Sequence, residues 1–524
     1  MKMCAEVLVG ILEEAGFTHI FGHPGEQMLP LYEALRRSGI EHVLMRHEQG
    51  AVHAADGYAR ASGGPAVCVA TGGPGALNLV MGVAAANTDS VPLIALTGDL
   101  PHGGGPGRFQ EADLEAVFRP VTRMSMTPWS VDEASRMLAE SVESLRRGLT
   151  GVIHINLPRD VLEEDSKRPL KSSGVWKELP DISSALELLR SSERPLVLAG
   201  GGIIWGNAID EFREFIENAR IPVVTTYSAR GVLPEDHPLC LGMAGTRGTP
   251  AANHAAGNCD VLLVLGARLS ERTLAATGNA RVIHVNTDPS VLRGDVVLQM
   301  DVGDFLRVMP ELKGPSWWLE ELAAYRRANP PISELPAPEG GAFVTSTAVR
   351  GILDAAPYAT IVNDAGSHTT WVTLHRRVLR ERSLIFSGGF GPMGYGLPAA
   401  IGAKLADPSE DVIMIAGDGG FQMTVQELGT VAELDLPITM CILNNQKLDV
   451  IRQWQEMKYG ASYSVELKNP DFIKLADAYG IGAERVRRAE DVPGAVERAL
   501  DSGEPRILEF MVEGEDIPLP RVRP

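Results

Sequence analysis

Five cysteines in 524 residues (Cys4, Cys68, Cys240, Cys259 and Cys441) stand far apart, with neither the paired spacing of a zinc site nor the density of a disulfide framework. Such scarcity fits a reducing compartment. Positive charge is also short, since 48 Lys and Arg against 67 Asp and Glu leave a formal net charge of −19. Nucleic acid and anionic membranes are bound through clustered Lys and Arg, so neither is an expected partner, whereas a small anionic substrate needs only a local positive pocket. Long hydrophobic runs are missing too: glycines interrupt each apolar stretch before it reaches the roughly 20 residues of a membrane span. The opening MKMCAEVLVGILEEAGF reads directly into an amphipathic helix, without the basic stretch and cleavage site of a secretory signal. A soluble, cytoplasmic protein is expected.

What the chain does have is alternation. Hydrophobic residues make up 44% and charged residues 22%, which are globular values, and the length calls for about three domains. Short apolar strands (THIFGHPG, HVLMRHE, PAVCVATGG, PLIALTG, GVIHINLP) are each followed by a turn and usually a helix, the pattern of parallel sheets with helical crossovers. A polar stretch from Ser166 to about Glu178 reads as a linker. A second unit runs from RPLVLAGGG through IPVVTTYS, VLLVLGARL and RVIHVNTD to near Leu306. The prolines and glycines of GPSWWLEELAAYRRANPPISELPAPEGG then mark a second linker without a continuous helix. TIVNDAG, VIMIAGDGG, ITMCILNN and RILEFMV repeat the alternation. The fold class is therefore α/β, with three doubly wound parallel-sheet domains over 1–164, 179–310 and 340–524, the first and last alike in strand rhythm.

One spacing points to chemistry. Asp418 lies between Gly417 and Gly419 at the carboxyl end of VIMIAG, and 24 residues separate Gly419 from Asn444-Asn445. Those residues hold one helix, roughly Thr424 to Leu434, and one strand, so both strands run the same way and their carboxyl ends lie side by side. Asp418 and Asn445 thus converge where open α/β sheets bind ligands. A carboxylate and an amide oxygen are hard donors too few for a full cage, which suits Mg²⁺ completed by water and phosphate oxygens. The two glycines admit a diphosphate, and the following helix offers it free N–H groups.

The pair GDG and NN resembles the thiamine diphosphate motif, in which the Asp, the second Asn and a main-chain carbonyl two residues later bind the metal; here these are Asp418, Asn445 and Lys447. VLMRHEQGAVHAADGYARAS resembles the RHEQG segment of the acetohydroxyacid synthase family, which implies that Glu48 activates the cofactor at N1′ of its aminopyrimidine. TGGPGALNLV, with Thr71 and Gly72, looks like the family's loop beside the cofactor, and FQE (Phe109, Gln110, Glu111) like its pocket triplet, which puts Gln110 at cofactor or substrate. GGFGPMGYGLPAAIGA is similar to a family signature in which Met393 bends the cofactor, and Gly366, Ser367 and His368 would lie at its diphosphate. The resemblance covers roughly Ala5 to Met511.

That family decarboxylates pyruvate and joins the two-carbon fragment to a second 2-oxoacid. In GARLSERTLAATG, Arg272 matches the arginine that receives the acceptor's carboxylate, with Glu271 where the family has Asp, and Trp454 in IRQWQ matches the tryptophan that narrows the pocket. The resemblance also implies FAD in the middle domain, at Gly200, Gly201, Gly202 and Arg268. A homodimer or larger homo-oligomer with Glu48 supplied by the partner subunit is implied, as is a small regulatory subunit. Departures lie at the substrate mouth: Thr246-Arg247 replace a Met-His pair, Arg159 a Lys, and Asp449-Val450 a Gly-Met. A non-ligating 2-oxoacid decarboxylase or an acyl-CoA-using relative is the alternative, and an idle regulatory paralogue is the reading from another class.

Overall fold

Short aliphatic runs closed by Gly, Pro or a polar turn become parallel strands because helices cover both faces of the sheet. The computed structural model describes residues 2–103, 107–166, 179–274, 276–334 and 342–519. In the first unit these strands are β1 (His19–His23), β2 (Glu41–Leu44), β3 (Ala66–Ala70), β4 (Leu93–Asp99), β5 (Met124–Met126) and β6 (Val152–Pro158). They pair in the order β2-β1-β3-β4-β6-β5, every pairing parallel. Helix α1 (Glu48–Ser62) follows β2, and α2 (Pro74–Thr88) follows β3.

The central unit holds β7 (Pro195–Ala199), β8 (Val223–Thr225), β9 (Cys240–Met243), β10 (Val261–Leu265), β11 (Arg281–Asn286) and β12 (Val296–Gln299), paired as β9-β8-β7-β10-β11-β12. The order reverses between β7 and β10, which is the switch point of a dinucleotide-type fold. Helix α3 (Pro250–Asn258) follows β9.

Next comes α4 (Ser316–Ala328), which corrects the expectation of a linker without a continuous helix. Gly314 and Pro315 precede this helix and Pro330 and Pro331 follow it, so these residues delimit the helix instead of interrupting it. Trp318 of α4 is fully buried against the central unit and donates its indole N–H to Pro195 O at 3.2 Å. The earlier linker lies, from residue 167, outside the described residues.

The last unit comprises β13 (Thr360–Asn363), β14 (Leu384–Ile385), β15 (Val412–Gly417), β16 (Ile438–Asn444), β17 (Gly482–Val486) and β18 (Arg506–Met511), paired as β14-β13-β15-β16-β18-β17. This is the order of the first unit, strand for strand. Its helices include α5 (Ser367–His375), α6 (Gly396–Ala406), α7 (Asp418–Met423), α8 (Leu428–Glu433) and α9 (Asp449–Tyr459). Where a single helix is expected from Thr424 to Leu434, α7 has already ended at Met423 and a 3₁₀ turn, Val425–Glu427, leads into the shorter α8. Thr424 leaves helical geometry and donates its hydroxyl to Gly394 O at 2.9 Å, which turns Glu427 inward.

The first and last units share one apolar core through α1 and α6. A Cβ on Gly402 would lie 1.8 Å from Ala54 O, and one on Gly57 would lie 2.1 Å from Ala399 O, so the two backbones touch only because both residues lack a side chain. Around this crossing Arg60 pairs with Asp56 (2.6 Å) and Asp89 (2.9 Å), and Tyr395 donates its hydroxyl to Asp56. Asp89 also accepts from Gly389 N at 2.8 Å and faces Arg268 of the central unit at 3.6 Å. All three units meet at that carboxylate.

Candidate functional site

Two clusters form at the carboxyl ends of the outer sheets. In the last unit, the parallel register aligns Gly417 of β15 with Leu443 of β16, which brings the two following turns together. Asp418 accepts from Gly419 N at 3.0 Å through Oδ1, and through Oδ2 from Gln446 N at 2.8 Å and Asn469 Nδ2 at 2.6 Å. Burial raises its pKa above the ordinary value, and the bonds from Asn469, Gln446 and Gly419 work against that rise. Asn445 Oδ1 accepts from Lys447 N at 3.1 Å, and Asn445 Nδ2 donates to Asp449 at 3.2 Å. Asp418, Asn445 and Lys447 therefore stand at one spot, as their spacing requires.

Asn469 was not singled out in the sequence, yet it joins Asp418 to Asn444 Oδ1, the latter at 2.8 Å. In sequence it is only a polar residue before Pro470, and nothing there marks it. Asp364, at the end of β13, was also missed. It is buried, accepts from Ala365 N (2.6 Å) and Gly394 N (3.0 Å), and its pKa is raised to about 6 by burial. Its role is to fix the loop carrying Met393. A Cβ on Gly419 would sit 3.0 Å from Leu448, 3.2 Å from Leu467 and 3.4 Å from Met393 Cε, so these three apolar side chains close over that glycine.

His368 is buried in the first turn of α5, and its pKa is lowered to about 4 by burial. Its Nε2 lies 3.0 Å from Asp364 O, and a carbonyl can only accept, so Nε2 carries the proton. The lone pair is left on Nδ1, the ring atom nearest Gly417. As placed, His368 shows the site an acceptor, and the free donors for an anion are the backbone N–H groups that open α5 beside Gly366 and Ser367.

In the first unit, Glu48 opens α1 behind the N-cap His47, whose Nδ1 accepts from Gln49 N at 3.1 Å. Asn78 of α2, another residue not foreseen, donates to Glu48 Oε2 at 2.9 Å. Thr71 accepts from Gln27 N at 3.3 Å and so ties its loop to the turn after β1. Gly72 lies against Gly98, where a Cβ would come 2.7 Å from the carbonyl oxygen. Gln110, in the left-handed region at φ 62°, covers Gly73, where a Cβ would be 2.4 Å from Gln110 O. Glu48, Thr71, Gly72, Asn78 and Gln110 are thus neighbours.

The two clusters are tied by Glu427. Its carboxylate is fully buried and accepts from Arg46 N and His47 N, each at 3.0 Å, and from the Thr430 hydroxyl at 3.1 Å. Gly50 leaves it room, since a Cβ there would lie 2.3 Å from Glu427 Oε1. A residue of the last unit therefore sets the position of the turn that carries Glu48. An acid in a helical stretch gives no sequence sign of this.

Arg272 and Trp454 are both exposed and lie at the edge. Thr246 N donates to Arg272 O at 3.0 Å, and Arg247 donates to Pro518 O. Gln453 of α9 holds Ile517 by two bonds of 2.9 and 3.0 Å, so the tail links α9, which carries Trp454, to the loop beside Arg272. In the central unit Gly200 and Gly202 press on Gly266, with Cβ positions 2.4 and 2.7 Å from its backbone. Two of the three expected FAD glycines thus have a packing role, while Gly201 and Arg268 do not share it.

Three family models match this chain: the thiamine pyrophosphate enzyme N-terminal TPP binding domain over residues 2–117, the central domain over 182–309, and the C-terminal TPP binding domain over 364–510. A probable acetolactate synthase large subunit of Methanocaldococcus jannaschii is 39% identical over 99% of this chain and 93% of its own. The chain belongs to the acetolactate synthase large-subunit family of thiamine pyrophosphate enzymes. Acetolactate synthase isozyme 2 large subunit of Escherichia coli K12 is 34% identical over 99% of this chain and 97% of its own. The acetolactate synthase large subunit IlvB1 of Mycobacterium tuberculosis is 36% identical over 97% and 88%. Both TPP binding domain matches of this family fall on the outer units, which hold the two clusters.

Proposed function

We propose that this enzyme decarboxylates a 2-oxoacid, pyruvate first, and joins the two-carbon fragment to a second 2-oxoacid, a reading supported by relatives named acetolactate synthase large subunit. The observation that carries the reading is the meeting of Asp418 with the turn of Asn445 and Lys447. One carboxylate, one amide oxygen and one carbonyl suit Mg²⁺ that keeps water and phosphate ligands. Gly417 and Gly419 leave the space a diphosphate needs, and the N-terminus of α5 offers it donors. Bound thiamine diphosphate supplies an electron sink for the carbanion that decarboxylation leaves.

Each remaining role belongs to a residue of this chain. Asp418, Asn445 and Lys447 O hold the metal. Glu48, steadied by Asn78, exchanges a proton at N1′ of the aminopyrimidine. Gly366, Ser367 and His368 border the diphosphate, and Met393 with Leu448 and Leu467 keeps water from the surface over Gly419. Thr71, Gly72 and Gln110 line the aminopyrimidine side. Arg272 receives the acceptor's carboxylate as a guanidinium fork, and Trp454 narrows the space beside it. FAD belongs to the proposal at Gly200, Gly201, Gly202 and Arg268, supported by the switch point between β7 and β10. A homo-oligomer with Glu48 from the partner subunit, a small regulatory subunit and a cytoplasmic setting complete it; the five buried free cysteines suit a reducing compartment.

Product analysis tests the reading, with pyruvate, thiamine diphosphate and Mg²⁺, with and without FAD and 2-oxobutyrate. Acetolactate or acetohydroxybutyrate is expected, whereas acetaldehyde alone would assign a decarboxylase. Glu48→Gln should lower the rate by roughly 10²–10⁴, the usual worth of positioned acid–base catalysis.

A further inference from the structure

Between the central and last units lies a cleft lined by five arginines (Arg230, Arg247, Arg326, Arg376 and Arg377) and two glutamates, Glu235 and Glu334. Its lining therefore carries a formal charge of +3 in a chain whose net charge is −19. Two of the arginines are neutralised: Arg230 clamps Glu235 at 2.6 and 2.9 Å, and Arg326 meets Glu334 at 3.0 Å. The other three are not. Among the described residues no ion pair is formed by Arg247, Arg376 or Arg377. Arg376 is 3% exposed and gives its terminal nitrogens to Ala356 O and Ala359 O at 3.2 and 2.7 Å, but its buried Nε has no partner.

Crowded cations destabilise one another where water is excluded. Burial and Arg230 lower the Arg376 pKa to about 10, and burial and Arg272 lower that of Arg247. An anion in the cleft would relieve both. Arg247, which gives one guanidinium nitrogen to Pro518 O, reaches it from the loop after β9, and Arg377 from the turn that ends α5, so donors approach from two units. That spread exceeds what one planar carboxylate can accept and suits the three or four oxygens of a phosphate. The nine-residue helix α3, whose first residues line the cleft, adds the positive end of its dipole.

We propose that this cleft binds a small phosphate-bearing molecule through Arg247 and Arg377, with the buried Arg376 adding its charge behind them. It is separate from the thiamine diphosphate cluster, because α5 starts at that cluster with Ser367 and reaches the cleft only at its far end, about 13 Å along its axis. A ligand here touches both the central and the last unit and stabilises them together.

The test uses full-length protein saturated with thiamine diphosphate and Mg²⁺, so that the diphosphate cluster is already filled. Inorganic phosphate is titrated calorimetrically at low ionic strength, with chloride of matched ionic strength as control. Binding is expected, with at least a tenfold loss in Arg377→Ala and a complete loss in Arg377→Glu. Arg377 is exposed, so both variants should unfold at the wild-type temperature without phosphate. Phosphate that gives no more heat than chloride, or that binds Arg377→Glu as tightly as wild type, overturns the proposal.

Discussion

A buried carboxylate that accepts two backbone N–H groups is hard to replace, and Glu427 is such a group. Glu427→Gln keeps the shape but turns one acceptor into a donor that faces a backbone N–H. Leaving that N–H unsatisfied costs about 1–3 kcal/mol. The variant is expected to unfold at lower urea concentration, and its kcat should fall more than its KM rises, because the turn carrying Glu48 loses its anchor. Urea titration with steady-state kinetics checks this; wild-type stability together with a wild-type kcat would remove Glu427 from the account. At this scale the sequence was legible where chemistry demands a fixed spacing. Asp418 and Asn445 could be placed because a βαβ unit leaves little freedom, whereas Glu427, Asn469, Asn78 and Asp364 act through partners 25 to 381 positions away.

At the scale of elements, the strands that could be read and those that could not differ in position. The buried runs of each sheet stood out, but β5, β9, β12, β14 and β17 were not foreseen, and all five are edge strands. Two of them are thinly covered and so need not be continuously apolar: β17 is largely half-exposed and β12 has one buried residue in four, whereas β9 is buried throughout but interrupted by Gly242 at φ 91°. The crossing of α1 and α6 was equally silent, because a glycine that admits another helix looks like any helical glycine. Gly402→Ala puts a methyl 1.8 Å from Ala54 O and must push the helices apart. Overpacking of this kind costs roughly 1–3 kcal/mol. A lower thermal midpoint and weaker thiamine diphosphate binding are expected, read by calorimetry and by titration of cofactor quenching.

The whole molecule adds a pH dependence that no single residue sets. Burial lowers the pKa of His53 and His154 to about 3 and of His42, His368 and His375 to about 4. Unfolded, each returns to an ordinary value near 6.5, so between about pH 6.5 and 4 the unfolded chain binds more protons and stability rises with pH. Asp364, raised to about 6, works the other way together with Asp301, Asp418 and Glu427, which burial also raises, but His19 and His284 are lowered too, so four carboxylates stand against seven histidines. Stability should therefore be lost as the pH falls from 6.5, each histidine contributing up to about 1.4 kcal/mol per pH unit. Thermal unfolding at pH 7 and pH 5 checks the sign; an equal or higher midpoint at pH 5 would contradict it. The proposed sharing of sites between subunits also belongs to this scale. Glu48→Gln and Asp418→Asn proteins, each nearly inactive, should regain activity when mixed and allowed to exchange subunits, because half the sites of each mixed dimer are intact. About a quarter of wild-type activity is expected from random pairing in a two-fold dimer, and none if Glu48 serves its own chain.

The sequence by itself determined what depends on local order: parallel α/β architecture, the turns after VIMIAG and ITMCIL, and the acid that opens α1. These follow because strand periodicity, crossover handedness and helix starts are properties of short segments. Only the tertiary structure decided that a carboxylate of the last unit anchors the turn before Glu48, that the second linker is half a helix packed on the central unit, and that five arginines face one cleft. Each joins residues far apart in the chain, and a buried charge or a missing Cβ acquires its meaning from the atoms across the interface.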